Sequence, residues 1–250
     1  MKNLVLYSCA AILLSCSVHA EEWGTVTGRF VFDGDVPKPV LEHAKGANVK
    51  DAGTCAAQDT YKQDLLIDAE TKGIANVFIY LYKAPANVHP ELKPPATVVF
   101  DQKNCIFKPH ALVVQAGQSV EVLNSDPIGH NTHTYPIKND AQNIVISPNT
   151  KKGEGVMIET AIREILPHQV KCDYHTHMTA YWLVTDHPYA AASGEKGEFT
   201  IKNMPVGEHE LRIWHERVGY VDRKFAITVK AGDNNIGDIK IAAEKFEEDE

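Results

Sequence analysis

Short runs rich in Val, Ile, Thr, Phe and Tyr, punctuated by Gly, Pro, Asn and Asp, recur along most of the chain and predict strands rather than helices. They fall at Gly24 to Phe32, Ala75 to Tyr82, Ala96 to Phe100, Ser119 to Leu123, Val156 to Thr160, Tyr181 to Thr185, Glu198 to Ile201, His209 to Trp214 and Lys224 to Val229. No long 3.6-residue periodicity competes with them, so the expected fold class is an all-β sandwich. Leu41 to Leu65 is the least patterned segment and leaves room for a short helix. A polar stretch carrying Lys138, Asn139, Lys151, Lys152, Gly153 and Gly155 reads as a mobile cover. Beyond Ala242 the chain is mostly Glu and Asp, which predicts a frayed, solvated acidic tail over 243–250.

The first residues have a different pattern. Lys2 is followed by an apolar run from Leu4 to Leu14 and by Val18-His19-Ala20, the order of a secretory signal peptide spanning 1–20. Its apolar core is too short for a transmembrane span. Leu13-Leu14-Ser15-Cys16 offers an alternative cut resembling a lipoprotein signal, with a lipid anchor on Cys16. Either cut implies a periplasmic, secreted or cell-surface location. With 250 residues, one or two domains are expected. The net charge of -8 excludes a nucleic-acid footprint and a polybasic membrane patch.

Chemistry concentrates in Cys172-Asp173-Tyr174-His175-Thr176-His177-Met178, where a thiolate, an imidazole and a thioether recur at three-residue intervals. Two imidazoles and a thiolate in a trigonal plane, with a weak axial thioether, are the donors of a blue-copper site. This loop supplies His175, Cys172 and Met178. The second imidazole comes from His130, at the end of a turn, strand and polar loop running from Gly117 to Asn131. His177 competes with His175, but neighbours in an extended loop point to opposite sides, so His177 and Met178 do not both face one metal.

Together these two segments resemble the cupredoxin family of plastocyanin and amicyanin, and the Cys-x-x-His-x-x-Met spacing is similar to amicyanin's ligand loop. The resemblance covers roughly residues 96–186. It implies a Greek-key β-sandwich binding one type 1 copper ion through His130, Cys172, His175 and Met178, with Asn131 tying the ligand loops together. It also implies a non-enzymatic carrier of single electrons between redox proteins of the cytochrome or dehydrogenase class. A copper storage, delivery or sensing protein is the alternative. With Cys172 so assigned, Cys55 and Cys105 are left as a disulfide pair in an oxidising compartment.

The flanking segments Gly24 to Phe32, Ile74 to Leu81 and Gly197 to Leu211 resemble the carboxypeptidase regulatory-like (transthyretin-like) β-sandwich. The expected organisation is therefore a cupredoxin domain at 96–186, inserted in or packed beside a second small sandwich formed by 21–95 and 187–242. Among the remaining histidines, His110 and His133 are candidates for a secondary metal site near the copper end. His187 and His215 read as structural. A multicopper oxidase needs several His-x-His pairs, and only His175-Thr176-His177 is present. No His-Glu-x-x-His or Gly-x-Ser-x-Gly motif points to a zinc or serine hydrolase.

Overall fold

The computed structural model describes residues 23–247. The expected signal peptide and the lipid-anchor alternative at Cys16 lie outside the described residues. The chain begins with β1 (Trp23–Asp33), β2 (Leu41–His43), the one-turn helix α1 (Ala52–Cys55), β3 (Thr60–Tyr61) and β4 (Phe78–Leu81). Nine strands follow: β5 (Thr97–Gln102), β6 (Phe107–Lys108), β7 (Ala111–Gln115), β8 (Ser119–Val122), β9 (His130–Thr134), β10 (Asn143–Ile146), β11 (Val156–Glu159), β12 (His168–Lys171) and β13 (Thr179–Thr185). The last strands are β14 (Ala190–Ala192), β15 (Glu198–Pro205), β16 (Gly207–His215), β17 (Gly219–Val229) and β18 (Gly232–Ala242).

The fold is all-β, as expected. Strands β5 to β13 form two sheets, ordered β10-β9-β12-β13-β7 and β11-β8-β5-β6. Their inward side chains make one core around Phe100, Phe107, Val120, Val122, Ile146, Val170 and Trp182. Phe100 stacks on Phe107 and meets Trp182 edge-on, each at 5.0 Å between ring centroids. Burying each such ring contributes about 1.5–3 kcal/mol. The outer strands form two further sheets, β15-β1-β18 and β14-β4-β16-β17, around Val26, Phe30, Ile79, Phe199, Ile201 and Ile213. The alternation of Glu198, Phe199, Thr200 and Ile201 reads directly as exposed, buried, exposed, buried, because successive side chains of a strand leave on opposite faces.

The two cores meet at a third cluster in which Phe78, Tyr80 and Trp214 of the outer sheets touch Ala111 and Leu183 of the inner ones. A close contact between the His110 ring and the Glu216 carboxylate sits in this joint. Gly73 is needed at another crossing: a Cβ there would lie 1.9 Å from the Lys196 carbonyl oxygen.

Two expectations are corrected. The acidic tail is not frayed at its start: Ala243–Phe246 form a helical turn, and Phe246 is buried against the rings of Phe32 and His215. One aromatic ring outweighs the neighbouring charges, which stay in solvent. The polar stretch after His130 is not a loose cover either, since it contributes β10 and β11 to the two inner sheets. Buried Glu164 accepts the backbone N–H groups of Ile137, Lys138 and Asn139, and Glu121 accepts those of Gly153 and Gly155. Satisfying these donors fixes segments whose composition alone reads as mobile.

A different segment covers the ligand loops. The β2-β3 ribbon and α1 carry His43, Asp51 and Cys55, and Cys55 is disulfide-bonded to Cys105 across 50 residues. Closing a loop of that length constrains the unfolded chain by about 4 kcal/mol in the chain-entropy account.

Candidate metal centre

The centre is built where two loops leave the inner sheet at the same end. The hairpin of β12 and β13 pairs Lys171 with Thr179, so the intervening loop starts at Cys172 and ends at Met178. That loop is closed by Cys172 N–H donating to the Met178 carbonyl (3.2 Å) and Met178 N–H donating to the His175 carbonyl (2.9 Å). The other loop, 124–129, is held by Asn124, whose amide donates to the Ile128 and Ile146 carbonyls and whose Oδ1 accepts Asp126 N–H. His130 follows as the first residue of β9, where the sequence pattern places the end of a loop.

Asn131 joins the two loops. Its Oδ1 accepts the Asp173 N–H at 2.7 Å and lies 3.3 Å from Cys172 Sγ, while its amide donates to Asn143 and Asp173.

His130, Cys172 and His175 converge inside the protein. The two Nδ1 atoms are 3.0 Å apart, and Cys172 Sγ lies 3.9 Å from His130 Nδ1 and 3.8 Å from His175 Nδ1. A triangle with these edges has a point about 2.1 Å from all three atoms, a metal–imidazole bond length and within about 0.2 Å of a metal–thiolate one. All three residues are buried, and so is Met178, which belongs to the same core as Cys172.

The outer nitrogens of both histidines face carboxylates. His130 Nε2 is 2.9 Å from Asp126 Oδ2, and His175 Nε2 is 2.9 Å from Asp51 Oδ2. An ionised carboxylate only accepts, so each Nε2 donates to its carboxylate, and each Nδ1 is the atom that would offer a lone pair to a metal at the common centre. Two lone pairs and a sulfur at these distances need positive charge among them. Burial alone would lower the His130 pKa, but its bonds to Asp126 and Cys172 prevail and push it up to about 9. Burial would raise the Cys172 thiol, but the His130 and His175 rings and nearby backbone N–H groups bring it down to about 6. Without a metal, a thiolate beside a protonated His130 balances the centre. A cation with affinity for both nitrogen and sulfur fits in that proton's place.

Asp126 is buried between the loops and also accepts the N–H groups of Asn104 (2.6 Å) and Cys105 (2.9 Å). The disulfide completes the wall. Cys55 and Cys105 sulfurs lie within 4.8 Å of a His175 ring nitrogen, and Cys105 is equally close to His130 and Asp126 ligand atoms.

The remaining histidine candidates are placed elsewhere. His177 turns away from Cys172 and meets His43, Nδ1 to Nε2 at 3.2 Å, and its ring centroid is 6.3 Å from that of His175. It borders a cavity of about 190 Å³ lined also by Glu42, Thr60, Tyr61 and Met178. His133 is partly exposed and bound to Asp173, Tyr135 and Asn143. His110 is engaged by Glu216 in the joint. His187 donates to the Leu81 carbonyl from a buried position.

Sequence reasoning missed Asp126, Asp51 and His43. Asp126 had a signal, as a carboxylate four residues before a proposed ligand. Asp51 and His43 had none, because they lie over 120 residues from the loop they touch.

No family model matches the chain, and no curated protein matches it. Among solved structures it is similar to amicyanin from Paracoccus versutus, at 17% identity over 42% of this chain and 96% of that one, with a TM-score of 0.30. It is similar to pseudoazurin from Methylobacterium extorquens AM1, at 22% identity over 36% of this chain and 76% of that one, with a TM-score of 0.28. A purple cupredoxin from Nitrosopumilus maritimus matches at 14% identity over 36% of this chain and 100% of that one, with a TM-score of 0.29. The regulatory-like resemblance of the outer strands finds no support in these matches. Scores this low carry no argument, so the functional conclusion rests on the side chains of the centre.

Proposed function

We propose that this chain is an exported type 1 copper protein that carries single electrons between redox proteins, with His130, Cys172, His175 and Met178 as ligands. The observation that carries the reading is the buried triangle of two Nδ1 atoms and one Sγ, whose equidistant point is at bonding distance from all three. Two imidazoles and a thiolate, with the thioether of Met178 in the same buried core as Cys172, are donors that suit copper in both oxidation states. Bound there, copper would supply the one-electron couple.

The protein's own residues supply the rest. Asp126 and Asp51 fix the tautomers and orientations of the two imidazoles, Asn131 fixes the thiolate, and the surrounding core excludes water. Groups held this firmly do not move when the charge of the centre changes by one, which keeps the reorganisation cost of electron transfer low. The inner sheets position the centre; the outer sandwich contributes the joint around Trp214 and the covering segment that bears Asp51.

Storage or delivery would use the same ligands but release the ion. The test is to load the purified protein with copper, reduce it with ascorbate in the presence of a strong Cu(I) chelator, and reoxidise it with ferricyanide. A carrier is expected to recover its full copper–thiolate absorption over repeated cycles. Loss of copper to the chelator at the first reduction would contradict the carrier reading and favour delivery.

A further inference from the structure

The two ligand histidines are both backed by carboxylates, but the two carboxylates are differently supported. Asp126 is buried and bonded to two backbone N–H groups on its own side of the centre. Asp51 comes from a separate segment, just before α1, which meets the ligand loops through the neighbouring Cys55–Cys105 disulfide, the His43–His177 contact and the bond of Asp51 to His175. Its side chain is 37% exposed, whereas that of His175 is 1% exposed. The adjacent cation, Lys50, holds its ammonium over the Tyr174 ring, 4.8 Å from the centroid.

We propose that Asp51 is a positioning residue that poises the centre toward the divalent ion by placing a fixed negative charge on the outer nitrogen of His175. This rests on the copper reading. The thiolate of Cys172 and the carboxylates of Asp126 and Asp51 bring three formal negative charges around one ion. A divalent ion leaves one of them uncompensated and a monovalent ion leaves two. In a buried site the second uncompensated charge is costly, so the oxidised form gains. A carboxylate partner also makes the imidazole a stronger donor, which favours the harder, higher-charged ion for the same reason. The exposed face of Asp51 limits the effect, since water and salt screen part of its charge. We therefore expect about a tenfold change in the Cu(I)-to-Cu(II) preference, which for one electron is about 59 mV.

The experiment is a reduction-potential titration of the copper-loaded full chain and of three variants. Asp51→Asn keeps an oxygen to accept the His175 N–H and removes only the charge. Asp51→Ala removes both. Asp35→Asn neutralises an exposed carboxylate outside the centre. Both Asp51 variants are expected to retain the copper–thiolate absorption and to become more positive by about 59 mV, with Asp35→Asn unmoved. Potentials of both Asp51 variants equal to that of Asp35→Asn would overturn the proposal while leaving the copper reading intact. A wild-type protein with no copper–thiolate absorption would overturn both.

Discussion

Replacing Asp126 by alanine is expected to destabilise the metal-free protein by about 3–5 kcal/mol, the cost of breaking a buried, hydrogen-bonded charge pair. The carboxylate of Asp126 accepts from His130 Nε2 and from the backbone of Asn104 and Cys105, and His130 and Cys105 are fully buried. Alanine leaves these donors without their acceptor, and water has little access. The same change frees the His130 ring to rotate or switch tautomer, so copper affinity is expected to fall about 10- to 100-fold, as when the hydrogen-bond partner of a ligand is removed. Urea unfolding reads the first effect as a lower midpoint at unchanged slope. A loss under about 1 kcal/mol would mean that Asp126 does not organise these loops. The pairing has a pH signature as well. Burial would raise the Asp126 carboxyl, but His130 and the two N–H donors hold it below the usual carboxylate range. Its contribution is therefore fully present above the ordinary carboxylate pKa and is lost as pH falls from there through the lowered native pKa.

Acid is expected to weaken the fold earlier, between about pH 6.5 and 4, through histidines remote from the metal. Burial lowers His168 to about 4 and His215 to about 3, although Glu164 partly opposes the effect at His168. The unfolded chain protonates both near about pH 6.5, whereas the native chain resists until much lower pH. The unfolded state thus binds more protons throughout this window, and stability rises with pH across it. A tenfold difference in proton affinity between the native and unfolded chains corresponds to about 1.4 kcal/mol, so the two residues together remove on the order of 5 kcal/mol between neutral pH and about pH 4. Urea midpoints measured from about pH 7.5 to 4 check this directly. The sensitivity should diminish in His168→Gln, whose neutral amide fits beside Trp182 without a proton to gain. A midpoint independent of pH over this range would contradict the burial of both rings.

The strand pattern was legible wherever one face of a sheet meets a core. Glu198 to Ile201 and Tyr181 to Thr185 alternate or run apolar, and both lie in strands at those positions. The longest strand the pattern did not reveal is β18. Its residues Gly232–Ala242 are mostly exposed and polar, with Ile236, Ile239 and Ile241 alone meeting the outer core, and its place is set by parallel pairing with β1. His130 was recognisable from its neighbourhood, but its place in a strand was not, since β9 is polar and is specified by its partners β10 and β12. The convergence of His130, Cys172 and His175 was readable because thiolate and imidazole at short spacing carry their own chemistry. Asp51 was not readable, because no local pattern announces a carboxylate whose partner lies on a loop distant in sequence. His110 illustrates the reverse: its sequence context suggested the metal end, and it lies instead against Glu216, in the turn between β16 and β17.

The most direct test of the account is a visible absorption spectrum of the purified protein titrated with Cu(II), beside a Cys172→Ala variant. The account predicts an intense band near about 600 nm, of the kind a trigonal His, His, Cys site produces, that saturates at one copper per chain and is absent from the variant. A colourless wild-type protein, or a band that survives removal of the Cys172 thiol, would contradict it.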